Sequence, residues 1–273
     1  MTGNGNLPTQ ADAGLPSKDE LDALERMMRE DAGAGISNRA ADTLIPQITV
    51  LQPQSPETLA GKGRPGDFLA GDRVIPAADG VWFQPCGVRD LWIEFEPLDR
   101  GGGFVGTHPF TGYNQANNAI PPEGALTDPQ NANRHRMPNG NNVIHYRQVA
   151  GFLWHDQTGL EFVMPFRSTG HTVWRTWQTE AGRLHRRGAK QAPLWSHVYH
   201  VTTEMVRNQF GQWYQQKLSF DDANVAFLGE PNALTMRVVG DPVAAYQQGK
   251  ALHEAYGTDK EPAASVAADG RGD

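Results

Sequence analysis

The sequence predicts a mostly β protein with a few helices. Three features carry that expectation: short runs in which apolar and polar residues alternate, a high density of turn residues, and few stretches with a helical period. The 273 residues include 30 Gly and 19 Pro, which favour short strands and long turns. In "IPQITVLQ", Ile48 and Val50 alternate with polar neighbours. In "LWIEFEP", Leu91, Ile93 and Phe95 fall on one face and Trp92, Glu94 and Glu96 on the other, the pattern of a half-buried antiparallel strand. Further strands read at 80–86, 143–154, 160–166, 194–203 and 210–220. Turn-rich segments separate them. The one from 99 to 142 is too long for an ordinary connection and reads as a binding loop or an excursion that orders on its target.

Helices read in three places. Ser17 and Glu20 form a capping box ahead of Leu21, Leu24 and Met28, and Gly33 and Gly35 end that helix. A second is expected near 169–181, with Val173 and Trp177 on one face. The third starts with Asp241 as cap and Pro242 at the first helical position, and runs to Gly257. The chain thus divides into a flexible arm with a short amphipathic helix (1–44), a β-rich nucleic-acid-binding domain (45–257) and a disordered, mildly acidic tail (258–273).

Several functions lack their residues. Cys86 is the single cysteine, so no disulfide forms within the chain, and after "VWFQP" it reads as a small core hydrophobe. No apolar run nears the roughly 18 to 20 residues that span a bilayer, and the N-terminus has no signal core, so a soluble protein of the cytoplasm is expected. There is no Walker loop, G-x-S-x-G elbow, H-E-x-x-H or zinc-type cysteine pair. "DRGGGFVG" lacks the Lys-Ser/Thr ending of a phosphate cradle, and His197 and His200 would point to opposite faces of a strand. Asp67, Asp72, Asp90 and Asp99, the carboxylates a nuclease would need, show no motif spacing. No catalytic residue, cofactor or metal is expected.

Charge is distributed unevenly. Residues 1–45 carry four cations against eight anions and residues 241–273 three against six, so the two ends hold the whole net charge of −7. Inside the neutral middle, residues 134–190 carry nine cations against three anions. These are Arg134, Arg136, Arg147, Arg167, Arg175, Arg183, Arg186, Arg187 and Lys190. Local charge sets the field that a phosphate meets, so this segment is a candidate polyanion site. Aromatics interleave with it, and "HTVWRTWQ" sets Arg175 between two tryptophans. Cations that follow phosphates beside flat rings that stack on unpaired bases suit single-stranded nucleic acid. Trp92, Trp154, Trp174 and Trp177 are the candidate stacking residues, with Trp92 and one of Trp174 and Trp177 expected to be exposed; the same rings would equally serve a core.

The stretches "PQITVLQPQSPE" (46–57), "GRPGDFL" (63–69), "FQPCGVRDLWIEFEPLDRGGGFVGTH" (83–108), "VMPFRSTGHTVWRTW" (163–177) and "APLWSHVYHVTTE" (192–204) occur in this order. In them the chain resembles a family of phage-encoded proteins associated with single-stranded DNA binding and recombination. The resemblance implies an OB-fold-like antiparallel β-barrel with long loop insertions, protection of single-stranded DNA, residence in the host cytoplasm, and contacts of the termini with replication or recombination proteins. The ending "AADGRGD" departs from the strongly acidic tail with a terminal aromatic that many phage single-strand binders carry. Exposed strand edges would admit a homodimer. The alternative is a phage virion or host-interaction protein that binds protein through the same loops.

Overall fold

Two long antiparallel strands form the spine of the fold. The computed structural model describes residues 45–128, 131–184, 186–187, 190–208 and 211–256, so the arm with its Ser17 helix and the tail after Gly257 lie outside the described residues. Strand β4 (Val81–Glu96) pairs with β8 (Asn142–His155) from Trp82 opposite Trp154 to Phe95 opposite Asn142. The stretches read as separate strands near 80–86 and 91–96 are therefore one. A β-bulge between Pro85 and Gly87 breaks the alternation between them, at a place where a residue without an N–H is tolerated.

Each end of the spine has its own neighbours. Beside the start of β4 lie β12 (His197–Asn208) and then β13 (Gly211–Leu218), and β12 also pairs with β14 (Val225–Phe227). Beside its end lies β5 (Gly103–Pro109). On the other side of the spine β9 (Thr158–Arg167) runs along β8, while β7 (Asn131–Arg136) and β6 (Leu126–Asp128) continue from the start of β8. These nine strands form one antiparallel sheet, curled into a half-barrel. A second sheet of β1 (Ile48–Val50), β2 (Phe68–Ala70) and β3 (Arg73–Ile75) touches β9 through a bridge between Gln47 and Val163.

The segment 99–142 is not a single loop. It contributes β5, β6 and β7 to the sheet and leaves 110–125 as the true connection. After the single turn α1 (Pro56–Leu59), helix α2 (Gly170–Leu184) stands where the sequence places it. Helix α3 (Ala233–Val239) is capped by Asn232, whose side chain accepts the Thr235 N–H at 3.0 Å. In α4 (Pro242–Tyr256), Asp241 accepts the N–H groups of Val243 and Ala244, both at 3.0 Å. Among the described residues no helix is long and apolar enough to cross a membrane.

Alternate residues of the spine feed two cores. On one face Phe83, Val149, Leu153, Met164 and Phe166 meet Trp174 and Trp177 of α2. On the other, Cys86, Phe152, Trp154 and Val198 meet Val238, Ala245 and Leu252 of α3 and α4, and further along Leu91, Ile93, Phe95 and Tyr146 cluster. The half-buried pattern expected at 91–96 is corrected: Trp92 and Glu94 are buried as well as Leu91, Ile93 and Phe95.

The spine is tight at Gly151, where an added Cβ would lie 2.1 Å from the Gln84 carbonyl oxygen and 2.7 Å from the Phe83 ring. Gly151→Ala is expected to lose about 1–3 kcal/mol of stability through over-packing. Urea unfolding reads this as a lower midpoint; an unchanged midpoint would mean that the strands are not held this closely.

Candidate functional site

The face of the spine that α2 covers changes character along its length. Leu153 and Val149 give way on β8 to Arg147, His145 and Val143, which stand opposite Asp90, Trp92 and Glu94 of β4. His108 of β5 is in register with Trp92, and His135 of β7 with Val143. Ser168, at φ 50°, turns the chain from β9 into α2, whose first turn brings His171 onto this patch. The His145 and His171 rings stack with centroids 4.5 Å apart and planes inclined by 13°.

Asp90 is the hub of the patch. Its carboxylate accepts from Arg147 Nε at 2.9 Å and Nη2 at 2.7 Å, from His145 Nε2 at 3.1 Å and from the Tyr113 hydroxyl at 3.1 Å. The Tyr113 hydroxyl also meets Arg147 Nη2. Phe110 stacks on His145, with centroids 5.3 Å apart, so the 110–125 connection is fastened at two points. Burial alone would raise the Asp90 carboxyl, but the hydrogen bonds and charges of His145 and Arg147 outweigh it and hold the group at about 2. Glu94 is treated alike: burial pushes it up, while Asn139 at 3.0 Å, Asn141 at 2.6 Å and His108 at 2.8 Å bring it below its ordinary value. Burial, then the Asp90 charge, lifts the Tyr113 hydroxyl to about 12.

Both carboxylates are thus ionised at neutral pH and accept from several donors, and Asp90 fastens the 110–125 connection to the sheet. Among the described residues no group of three His, Cys, Asp or Glu side chains could hold a metal ion.

The structure separates the cations that the sequence groups. Arg134 and Arg136 are exposed on β7, and Arg136 shares a face with Asn142, away from the Asp90 patch. Arg167 lies on that same far face, opposite Tyr146, whose hydroxyl accepts from its Nη1 at 2.8 Å. Arg147 is on the α2-covered face and is engaged by Asp90. Arg175 and Arg183 are exposed on α2, and Arg183 meets Glu180 at 2.7 Å. Arg186, Arg187 and Lys190 lie on a two-stranded ladder of β10 (Arg186–Arg187) and β11 (Lys190–Gln191) directly after α2. The expectation of one groove holding the cations together is corrected on the sheet, where the strands alternate: Arg136 and Arg167 lie on one face and Arg147 on the other.

The tryptophans require a second correction. Trp174 and Trp177 are 0% exposed, Trp92 1% and Trp154 6%. Trp174 and Trp177 are three residues apart, so both fit the buried side of α2. Trp92 is enclosed because His135 and His145, from β7 and β8, lie over its ring with centroids 5.1 and 5.2 Å away. Trp154 Nε1 donates to Gln84 Oε1 at 3.0 Å inside the core. Sequence reasoning passed over Phe110, Tyr113, His108, His135, His145 and His171. The opposed signs of Asp90 and Arg147 were visible, but their pairing depends on a register 57 residues apart in sequence.

The family model described as Pam3 phage gp34-like protein matches residues 17–261. No curated protein and no solved structure matches the chain.

Burial, then the neighbouring His145, lowers the His171 imidazole from 6.5 to about 4, and the same causes lower His135. The unfolded chain binds these protons below about pH 6.5 and the folded one resists them, so stability is expected to fall as pH drops from about 6.5 to 4. Asp90, held at about 2, adds its own loss only below about pH 4. Urea midpoints at pH 7.5 and 4.5 measure the histidine contribution, and His171→Gln should flatten the difference between them. An unaltered pH profile in that variant would contradict a half-buried, neutral His171.

Proposed function

For a chain that belongs to the Pam3 phage gp34-like protein family, we propose sequence-tolerant binding and protection of single-stranded DNA in phage replication or recombination. The observation that supports this most is the outward side of α2. Arg175 and Arg183 are exposed there while Trp174 and Trp177 anchor the inward side. The two arginines stand about 12 Å apart along the axis at 1.5 Å per residue. The chain then enters the ladder that carries Arg186, Arg187 and Lys190. A basic track of this kind follows phosphates without reading bases, and each phosphate neutralised releases counterions. The Glu180 partner of Arg183 is a surface pair and offers little competition. In this reading the half-barrel is an OB-fold-like platform, with α2 and the ladder as the insertion that carries the track.

A second reading has its own support. Val105, Ile120 and Leu126 are exposed apolar side chains within the 103–126 segment, a pattern that suits a virion or host protein as partner.

Fluorescence anisotropy with labelled poly-dT at two salt concentrations separates the two. Arg175→Glu with Arg183→Glu is expected to weaken binding at least tenfold and to reduce the salt slope by about two, one for each phosphate that is no longer neutralised. Absence of binding by the unaltered protein at low salt would contradict DNA binding and favour a protein partner.

A further inference from the structure

We infer that Tyr113 is the base-stacking surface of the single-strand path, taking the place that the buried tryptophans cannot fill; the inference rests on the proposed DNA binding. Among the described Phe, Tyr and Trp residues Tyr113 is the most exposed, at 42%. A ring that stacks on bases must be open and held, and both conditions are met here. The hydroxyl is fastened to Asp90 at 3.1 Å, the Arg147 guanidinium lies 5.9 Å from the ring centroid, and Phe110 meets the ring at 4.9 Å and 65°. The backbone beneath is also fixed. Tyr113 bridges Ala119, and Asn114 Oδ1 accepts the N–H groups of Ala116 at 2.9 Å and Asn118 at 3.0 Å. Little freedom is left to lose when a base arrives.

Its place relative to the basic track supports the assignment. His171, in the first turn of α2, stacks on His145, whose ring centroid is 6.1 Å from that of Tyr113. Arg175 follows one turn later, and its charge is among those felt at the Tyr113 hydroxyl. An exposed ring therefore stands where the line of phosphate contacts begins. A strand laid along Arg175 and Arg183 would present a base to Tyr113 at that end, and stacking of this type tolerates any base because every base has a flat face.

Paired oligonucleotides test this: dT of fixed length, and an abasic strand of the same length that keeps the phosphates. Tyr113→Ser is expected to lose about tenfold in affinity for dT and to keep its affinity for the abasic strand, whereas Tyr113→Phe keeps both. If the serine variant does not melt cooperatively, Tyr113→Trp gives the reading instead. Its new indole should be quenched by dT and not by the abasic strand, read as the change beyond the response of the native tryptophans in the unaltered protein, of which Trp82, Trp195 and Trp213 are only half-buried. Loss of dT binding in the phenylalanine variant equal to that in the serine variant would assign the effect to the hydroxyl network and overturn the inference. So would wild-type affinity for dT in the serine variant, or an unquenched indole, while the arginine track would still stand. Failure of the unaltered protein to bind either strand would remove both proposals.

Discussion

The charged centre of the candidate site owes its arrangement to the register between β4 and β8. Asp90 faces Arg147, Trp92 faces His145 and Glu94 faces Val143, while Leu91, Ile93 and Phe95 point the other way. A slip of one residue would send the charged set into the cluster of Phe95 and Tyr146 and expose the apolar set to the histidines. Two features oppose such a slip. Gly151 lets the strands approach where no side chain fits. Gln84 donates to the carbonyls of Trp195 at 2.8 Å and Ala245 at 3.1 Å, tying the spine to the chain before β12 and to α4.

Burying an ion is costly unless donors replace the water it loses. Asp90 meets that condition with Arg147 in a two-pronged contact, together with His145 and Tyr113. The same hydrogen bonds that satisfy the carboxylate fasten the 110–125 connection to the sheet, and the His145–His171 stack brings the start of α2 to the same place. One saturated carboxylate thereby coordinates three parts of the chain that are distant in sequence. The outward side of α2 needs no such network. Its two tryptophans are driven inward by their apolar surface, and the arginines between and after them are left in solvent.

Local chemistry was legible in the sequence wherever neighbours along the chain decide the outcome. The alternation of 143–154 and 160–166, the helix near 169–181, and the Asp241–Pro242 start of α4 all correspond to elements of the structure. The bulge at Cys86 hid the continuity of β4, because inserting one residue shifts the alternation. The strands β5 to β7 were hidden in a run of Gly, Asn and Pro whose pairing is decided by the partners β4 and β8. The candidate site was the least legible part. Trp92 beside Glu94 and Glu96 suggested a wet face, yet histidines supplied by other strands enclose it, and contacts of that kind leave no trace in local spacing.

Hydrogen–deuterium exchange with and without a dT oligonucleotide tests the account most directly, since it reads the whole surface without altering a residue. Protection is predicted over α2, the β10–β11 ladder and the turn around Tyr113. Protection confined to the far face of the sheet, at β7 and the end of β9, or none at saturating oligonucleotide, would contradict it.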